Sequence, residues 1–126
     1  MPKILIIEDD SVLLNILISK FSASNYEVLV AEDGEKGIDQ VTKHQPDVII
    51  LDLMLPKIDG FGVLKAIRKH SDPKVSKASV VVLSNLWSNK DILQAQALKI
   101  DQYYVKANTD SGEVVQSVAK ILSERA

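Results

Sequence analysis

The sequence predicts an α/β fold, an open parallel sheet with helices on both faces, and three observations predict it. Strand-like apolar runs alternate with helix-like apolar stripes along the whole length, making five β-α units in 126 residues. The clearest runs, Ile4 to Ile7, Val48 to Leu51 and Val80 to Leu83, are continuously apolar, as strands covered on both faces must be. Each is followed closely by acidic or polar residues, at the strand ends where such sheets hold their ligands.

Ile4 to Ile7 is the first strand, and the period then changes: Leu13, Leu14, Ile16, Leu17, Ile18 and Phe21 form a broad helical face. Tyr26 to Ala31 predicts the second strand. Asp33-Gly34 turns the chain into a helix that carries Ile38 and Val41 on one side, and Pro46 ends it. Val48 to Leu51 is the third strand; beyond Pro56 and Gly60, Val63, Leu64 and Ile67 mark a third helix. Ser71-Asp72-Pro73-Lys74 is expected as a turn, Val80 to Leu83 as the fourth strand, and Lys90 to Leu98 as a fourth helix with Ile92, Ala95 and Leu98 at three-residue steps. Tyr103 to Val105 predicts a short fifth strand. The last helix starts at a capping box, Asp110 with Glu113, and buries Val114, Val115, Val118, Ile121 and Leu122 on the way to Ala126. Internal repeats, low-complexity tracts and linkers are absent, so residues 1–126 are expected to form one domain.

A chain of this length buries roughly two-thirds of its unfolded surface, enough for a core of its own. It contains no cysteine, which excludes a disulfide framework and thiolate catalysis and agrees with a reducing cytoplasm. Its apolar runs fall far short of the ~20 residues that span a bilayer. Met1-Pro2-Lys3 leads straight into a strand with no apolar signal core. A cytoplasmic protein without membrane attachment is therefore expected. The net charge is −2 with both signs mixed, which offers no electrostatic reason for nucleic acid as a direct ligand. Lys65, Arg68, Lys69 and His70 read as the cation-rich last turn of a helix.

The polar strand ends carry the chemistry. Glu8-Asp9-Asp10 follow the first strand, Asp52 the third, Ser84-Asn85 the fourth and Lys106 the fifth. Gathered carboxylates resist ionising unless a cation or a proton joins them. Asp9 and Asp52, completed by a backbone carbonyl and waters, suit the octahedral oxygen shell of Mg2+; zinc would want cysteines or a close histidine pair, and neither is present. A carboxylate such as Asp52 can attack phosphorus to form an acyl phosphate when Mg2+ and the Lys106 ammonium offset the charge and the Ser84 hydroxyl donates to a third phosphoryl oxygen. Taken singly, each residue has an ordinary reading: Asp52 as a turn-capping carboxylate, Ser84 as a loop hydroxyl, Lys106 as a surface lysine, and Tyr103 and Trp87 as packing aromatics.

In this order the segments resemble the receiver domains of bacterial two-component response regulators. The parts are Ile4-Leu5-Ile6-Ile7-Glu8-Asp9-Asp10, then Asp52-Leu53-Met54-Leu55-Pro56 with Asp59-Gly60, then Val80-Val81-Val82-Leu83-Ser84, then Tyr103-Tyr104-Val105-Lys106. The resemblance covers essentially the whole chain, and the ordered set is specific where each part is weak. It implies a flavodoxin-like (βα)5 doubly wound sheet of strand order 2-1-3-4-5. It implies that Asp52 is the phosphoacceptor, that Asp9 and Asp52 bind Mg2+ (or Mn2+ in its place) with the Met54 carbonyl, and that Glu8 does so through water. It makes Lys106 the family's lysine, Ser84 its switch hydroxyl and Tyr103 its rotating aromatic, with Asp10 left as a solvated residue at the start of the first helix. The implied partners are a histidine kinase or phosphotransfer protein, or a small phosphodonor, and a downstream protein target. That target is reached through the face of the fourth helix, fifth strand and fifth helix, by a monomer or a weak phosphorylation-dependent dimer. Such a domain is a signalling phosphoacceptor that gains and loses its own phosphoryl group rather than an enzyme, and it acts alone, as chemotaxis and phosphorelay regulators do, or as part of a larger regulator.

This chain departs from the family at three places. Ala107 stands where a proline with a cis peptide is usual; a non-proline cis bond costs roughly 2.5 to 4 kcal/mol, so the bond is either trans or strained. Gln102 replaces a small residue and is expected to crowd Tyr103. Ser84 is followed by the bulky Asn85-Leu86-Trp87. Met54 and Leu86 flank the water that would attack a phosphoryl group and cannot orient it, which predicts a long-lived adduct. A pseudo-receiver that binds partners without phosphate is the alternative that Ala107 and Gln102 favour. A haloacid-dehalogenase-like phosphatase would need a second aspartate where Met54 stands, and a flavodoxin-like cofactor binder would need a Ser/Thr/Gly-rich loop in place of Glu8-Asp9-Asp10.

Overall fold

Five parallel strands form one sheet in the order β2-β1-β3-β4-β5. The computed structural model describes residues 1–125, so the expected run of the last helix to Ala126 lies outside the described residues. The strands are β1 (Lys3–Ile7), β2 (Glu27–Ala31), β3 (Val48–Leu51), β4 (Ser79–Ser84) and β5 (Gln102–Val105). The helices are α1 (Ser11–Ala23), α2 (Gly34–His44), α3 (Gly60–Arg68), α4 (Pro73–Ser76), α5 (Asn89–Ala97) and α6 (Ser111–Arg125), with a 3-10 turn at Lys106–Asn108. Among the described residues no helix is long and apolar enough to cross a membrane.

Alternation along each strand divides the apolar residues between two cores. Leu5, Ile7, Ile49, Leu51, Val80 and Val82 face α2, α3 and α4, where Val41, Val63, Leu64, Ile67 and Val75 meet them. Ile4, Ile6, Val48, Ile50, Val81 and Leu83 face α1 and α6, through Leu14, Leu17, Phe21, Val114, Val118 and Ile121. The central strands are covered on both sides, which is why they read as unbroken apolar runs. Val115 and Leu122 of α6 are only partly buried at the rim of that second core.

Parallel strands send the helices that follow them back in the same sense, so the N-termini of α1, α2, α3, α5 and α6 collect at the strand C-terminal edge. There Asp10, Asp33, Asp59 and Ser88 cap α1, α2, α3 and α5 by accepting hydrogen bonds from the first backbone N–H groups. Two glycines hold this edge tight. A Cβ on Gly34 would overlap the Ile58 carbonyl, and one on Gly60 would overlap the Asp52 carbonyl and the Leu53 backbone. The backbone of the β3–α3 loop is thereby pressed against the first residues of α2 and α3.

Two expectations change. Ser71 to Lys74 is more than a turn: Asp72 caps a one-turn helix with Pro73 at its start, a segment too short to display a helical period. Arg68 is more than a solvated end-of-helix charge. Its guanidinium turns inward and donates to the carbonyls of Leu98, Ser76, Ala78 and Lys99 at 2.7–2.9 Å. Burial lowers its pKa, opposed by the charge of Asp101, and the four bonds tie α3 to the loops that open β4 and β5.

Gly60→Ala is expected to cost roughly 1–3 kcal/mol, because the atoms it meets are backbone and cannot swing aside. Urea unfolding measures this, and an unchanged midpoint would contradict the close approach.

Candidate functional site

The sheet register builds the site. Ile7 pairs with Leu51, so the next residues of adjacent strands, Glu8 and Asp52, leave the sheet side by side. The ladder holds past the strand ends: Asp52 N–H donates to the Ile7 carbonyl at 3.1 Å and Glu8 N–H to the Ala31 carbonyl at 3.0 Å. Glu8 and Asp52 are almost fully buried, at 2% and 4% exposure, while Asp9 is exposed. Carboxylate oxygens of the three lie within 4.8 Å of one another.

Lys106 reaches this cluster from the end of β5. Its ammonium donates to Glu8 Oε1 at 2.7 Å and to Asp52 Oδ2 at 2.8 Å. Asp52 Oδ1 accepts from Met54 N–H at 3.0 Å, and Glu8 Oε2 from Asp10 N–H at 3.1 Å. Burial pushes the Glu8 carboxyl up to about 7; the Lys106 and Asp10 hydrogen bonds oppose this, and the charge of Asp52 reinforces it. Burial works against the Lys106 charge, but hydrogen bonds to Asp52 and Glu8 outweigh it and raise the lysine above its ordinary value. Oxygen-only donors of this density, with one carboxylate open to solvent, fit a hard divalent cation such as Mg2+.

Asp10 stands outside the cluster as the cap of α1, accepting from Val12 and Leu13 N–H. Ser84 is fully buried at the end of β4, where its hydroxyl oxygen accepts from Leu86 N–H at 3.3 Å. Tyr103 is half-buried against the α3 side of the core and donates its hydroxyl to the Leu86 carbonyl at 2.7 Å. Burial, and then the charges of Asp91 and Asp52, raise its pKa. The two residues expected to switch are thus joined through one intervening residue, Leu86. No residue-type pattern could have revealed that role, because Leu86 supplies only backbone atoms.

The structure resolves two of the departures. The Lys106–Ala107 peptide is trans, since no peptide among the described residues is cis, and a 3-10 turn follows it. Gln102 is exposed, and strand alternation sends its side chain to the face opposite Tyr103, so it does not crowd the ring. Trp87, three residues beyond Ser84, is 75% exposed.

A doubly wound sheet with paired acids, a strand-end aspartate and a bridging lysine at its C-terminal edge defines a class, the receiver domains. A model of the response regulator receiver domain matches residues 4–119, and the chain belongs to that family. A probable transcriptional regulator ycf27 of Guillardia theta is 38% identical over 104 residues, covering 82% of this chain and 39% of the relative. The DNA-binding dual master transcriptional regulator RpaA of Synechocystis sp. is 38% identical over 106 residues, covering 84% and 43% respectively. The chain therefore spans about two-fifths of the length of these curated relatives. The receiver domain of Francisella response regulator 1452 superposes with a TM-score of 0.89 at 26% identity over 100% of both chains.

Removing the lysine charge should expose the mutual repulsion of the acids. Lys106→Met is expected to lower stability in EDTA by roughly 1–3 kcal/mol, less than a fully buried pair because the ammonium is partly open to solvent. Added Mg2+ should recover more of the loss in the variant than it adds to wild type. Thermal unfolding with and without Mg2+ reads both, and identical curves for the two proteins would refute this charge balance.

Proposed function

We propose that the chain accepts a phosphoryl group on Asp52 from a histidine kinase, a phosphotransfer protein or a small phosphodonor, and passes the event to a protein partner. The observation that carries this is one nearly buried aspartate clustered with two further carboxylates and a lysine. An Asp52 oxygen attacks phosphorus, the new O–P bond forms as the donor's bond to phosphorus breaks, and the electron pair leaves with the donor. Asp9, Asp52 and the Met54 carbonyl would hold Mg2+, or Mn2+ in its place, with Glu8 acting through water. When bound, the ion supplies positive charge to the phosphoryl oxygens. The Lys106 ammonium moves from carboxylate to a phosphoryl oxygen, so its charge stays paired throughout. The Ser84 hydroxyl oxygen accepts from Leu86 N–H, and its own proton would go to another phosphoryl oxygen.

Because Ser84 bonds the Leu86 N–H and Tyr103 bonds its carbonyl, a shift of the hydroxyl toward a phosphoryl group is felt by the aromatic. Tyr103 lies on β5, within the face made with α5 and α6, whose contacts with a downstream protein would change. The reading has the domain contact protein rather than nucleic acid, in the cytoplasm, as a monomer or a weak phosphorylation-dependent dimer.

Acetyl phosphate with Mg2+ is expected to add one phosphoryl mass to wild type and none to Asp52→Asn, read by mass spectrometry. Labelling of both would sink the site assignment, and labelling of neither would favour the pseudo-receiver. The adduct should also persist. Met54, more than half exposed beside Asp52, offers water no hydrogen bond, and so Met54→Asn should lose the phosphoryl group faster than wild type. Equal or slower decay in the variant counts against that idea.

A further inference from the structure

We propose that Thr109 is a positioning residue for Lys106, acting through the hydrogen bond that its hydroxyl donates to the Val105 carbonyl. The inference rests on the functional reading above, in which Lys106 serves the phosphoryl group of Asp52.

Lys106 is the first residue beyond the sheet. Val105 pairs with Ser84 as the last rung of the β4–β5 ladder, and β5 is an edge strand with a neighbour on one side only. A lysine side chain has four rotatable bonds, so keeping its nitrogen at 2.7 and 2.8 Å from two different carboxylates requires a fixed backbone beneath it. Ala107 has no ring to restrict its φ, and the bond that ends the 3-10 turn, from Thr109 N–H to the Lys106 carbonyl, is long at 3.4 Å.

The Thr109 hydroxyl bond, at 2.7 Å, is the short tie across this turn. Its acceptor is the carbonyl of the peptide unit that leads into Lys106, and a peptide unit is planar. Holding Val105 C=O therefore holds the plane from which the Lys106 side chain departs. Thr109 is itself anchored from the other side. Asp110 follows it directly and opens the box that starts α6, its carboxylate accepting from Gly112 N–H at 2.9 Å and its N–H donating to Glu113 at 3.3 Å. Thr109 thus joins a capped helix to the end of the edge strand, with Lys106 enclosed between them.

Thr109→Val keeps the shape and removes the donor, whereas Thr109→Ser keeps the donor. Two measurements are made on the full chain: the order of the Lys106 ammonium by nitrogen NMR relaxation, and the rate of labelling by acetyl phosphate with Mg2+. Thr109→Val should lose ammonium order and label about tenfold more slowly, the effect of releasing one hydrogen bond and misplacing a charged group. Thr109→Ser should restore both. In a Lys106→Ala background, Thr109→Val should slow labelling no further, because its effect passes through the lysine. An ammonium as ordered in Thr109→Val as in wild type overturns the proposal, and so does equal slowing with and without Lys106. Failure of wild type to label at all overturns the reading of Asp52, and the relaxation measurement then decides by itself whether Thr109 positions Lys106.

Discussion

The ammonium of Lys106 between Glu8 and Asp52 is the interaction on which the rest of the site depends. Parallel pairing of β1 with β3 places two carboxylates side by side at the most buried part of the strand edge, where water screens them least. Burial drives Glu8 toward its protonated form, and the charge of Asp52 adds to it. A cation delivered from β5 opposes that drift by donating to both carboxylates. The same arrangement that makes the aspartate a candidate nucleophile also makes it costly to hold, which is why the lysine has to be placed accurately.

That placement draws on the whole fold. Parallel strands end at one edge, so β1, β3, β4 and β5 contribute Glu8, Asp52, Ser84 and Lys106 without any loop having to cross the sheet. Helices α1, α2 and α3 start at that edge and their caps consume Asp10, Asp33 and Asp59, which leaves Glu8, Asp9 and Asp52 as the acids that converge. Gly34 and Gly60 let the backbone after β3 press in behind Asp52. At the opposite edge, Arg68 binds four carbonyls and locks the entries to β4 and β5. The edge with the carboxylates is thus polar and partly open, while the far edge is stapled.

Much of this was legible in the residues. Ile4 to Ile7 and Val48 to Leu51 read as doubly covered strands, and the acids that follow them are those that converge. Lys106 and Ser84 were legible because strand ends in such a sheet share one edge. Other parts carried no signal. The helix at Pro73–Ser76 is shorter than one hydrophobic repeat, Arg68 looks like any end-of-helix cation, and Leu86 acts through its backbone. Gln102 is next to Tyr103 in sequence but not in space, because alternation along β5 separates the two side chains.

The sequence by itself determined the period of the strands and of the longer helices, the doubly buried core and the identity of the charged groups, since these follow from local hydrophobic spacing and side-chain chemistry. Tertiary structure alone decided which of those groups touch. Asp9 and Asp10 are adjacent in the chain, yet one joins the acidic cluster and the other caps a helix. Lys106 and Asp52 are 54 residues apart and meet at 2.8 Å. Partners are set by strand register and helix direction, which belong to the assembled sheet and to no single segment of it.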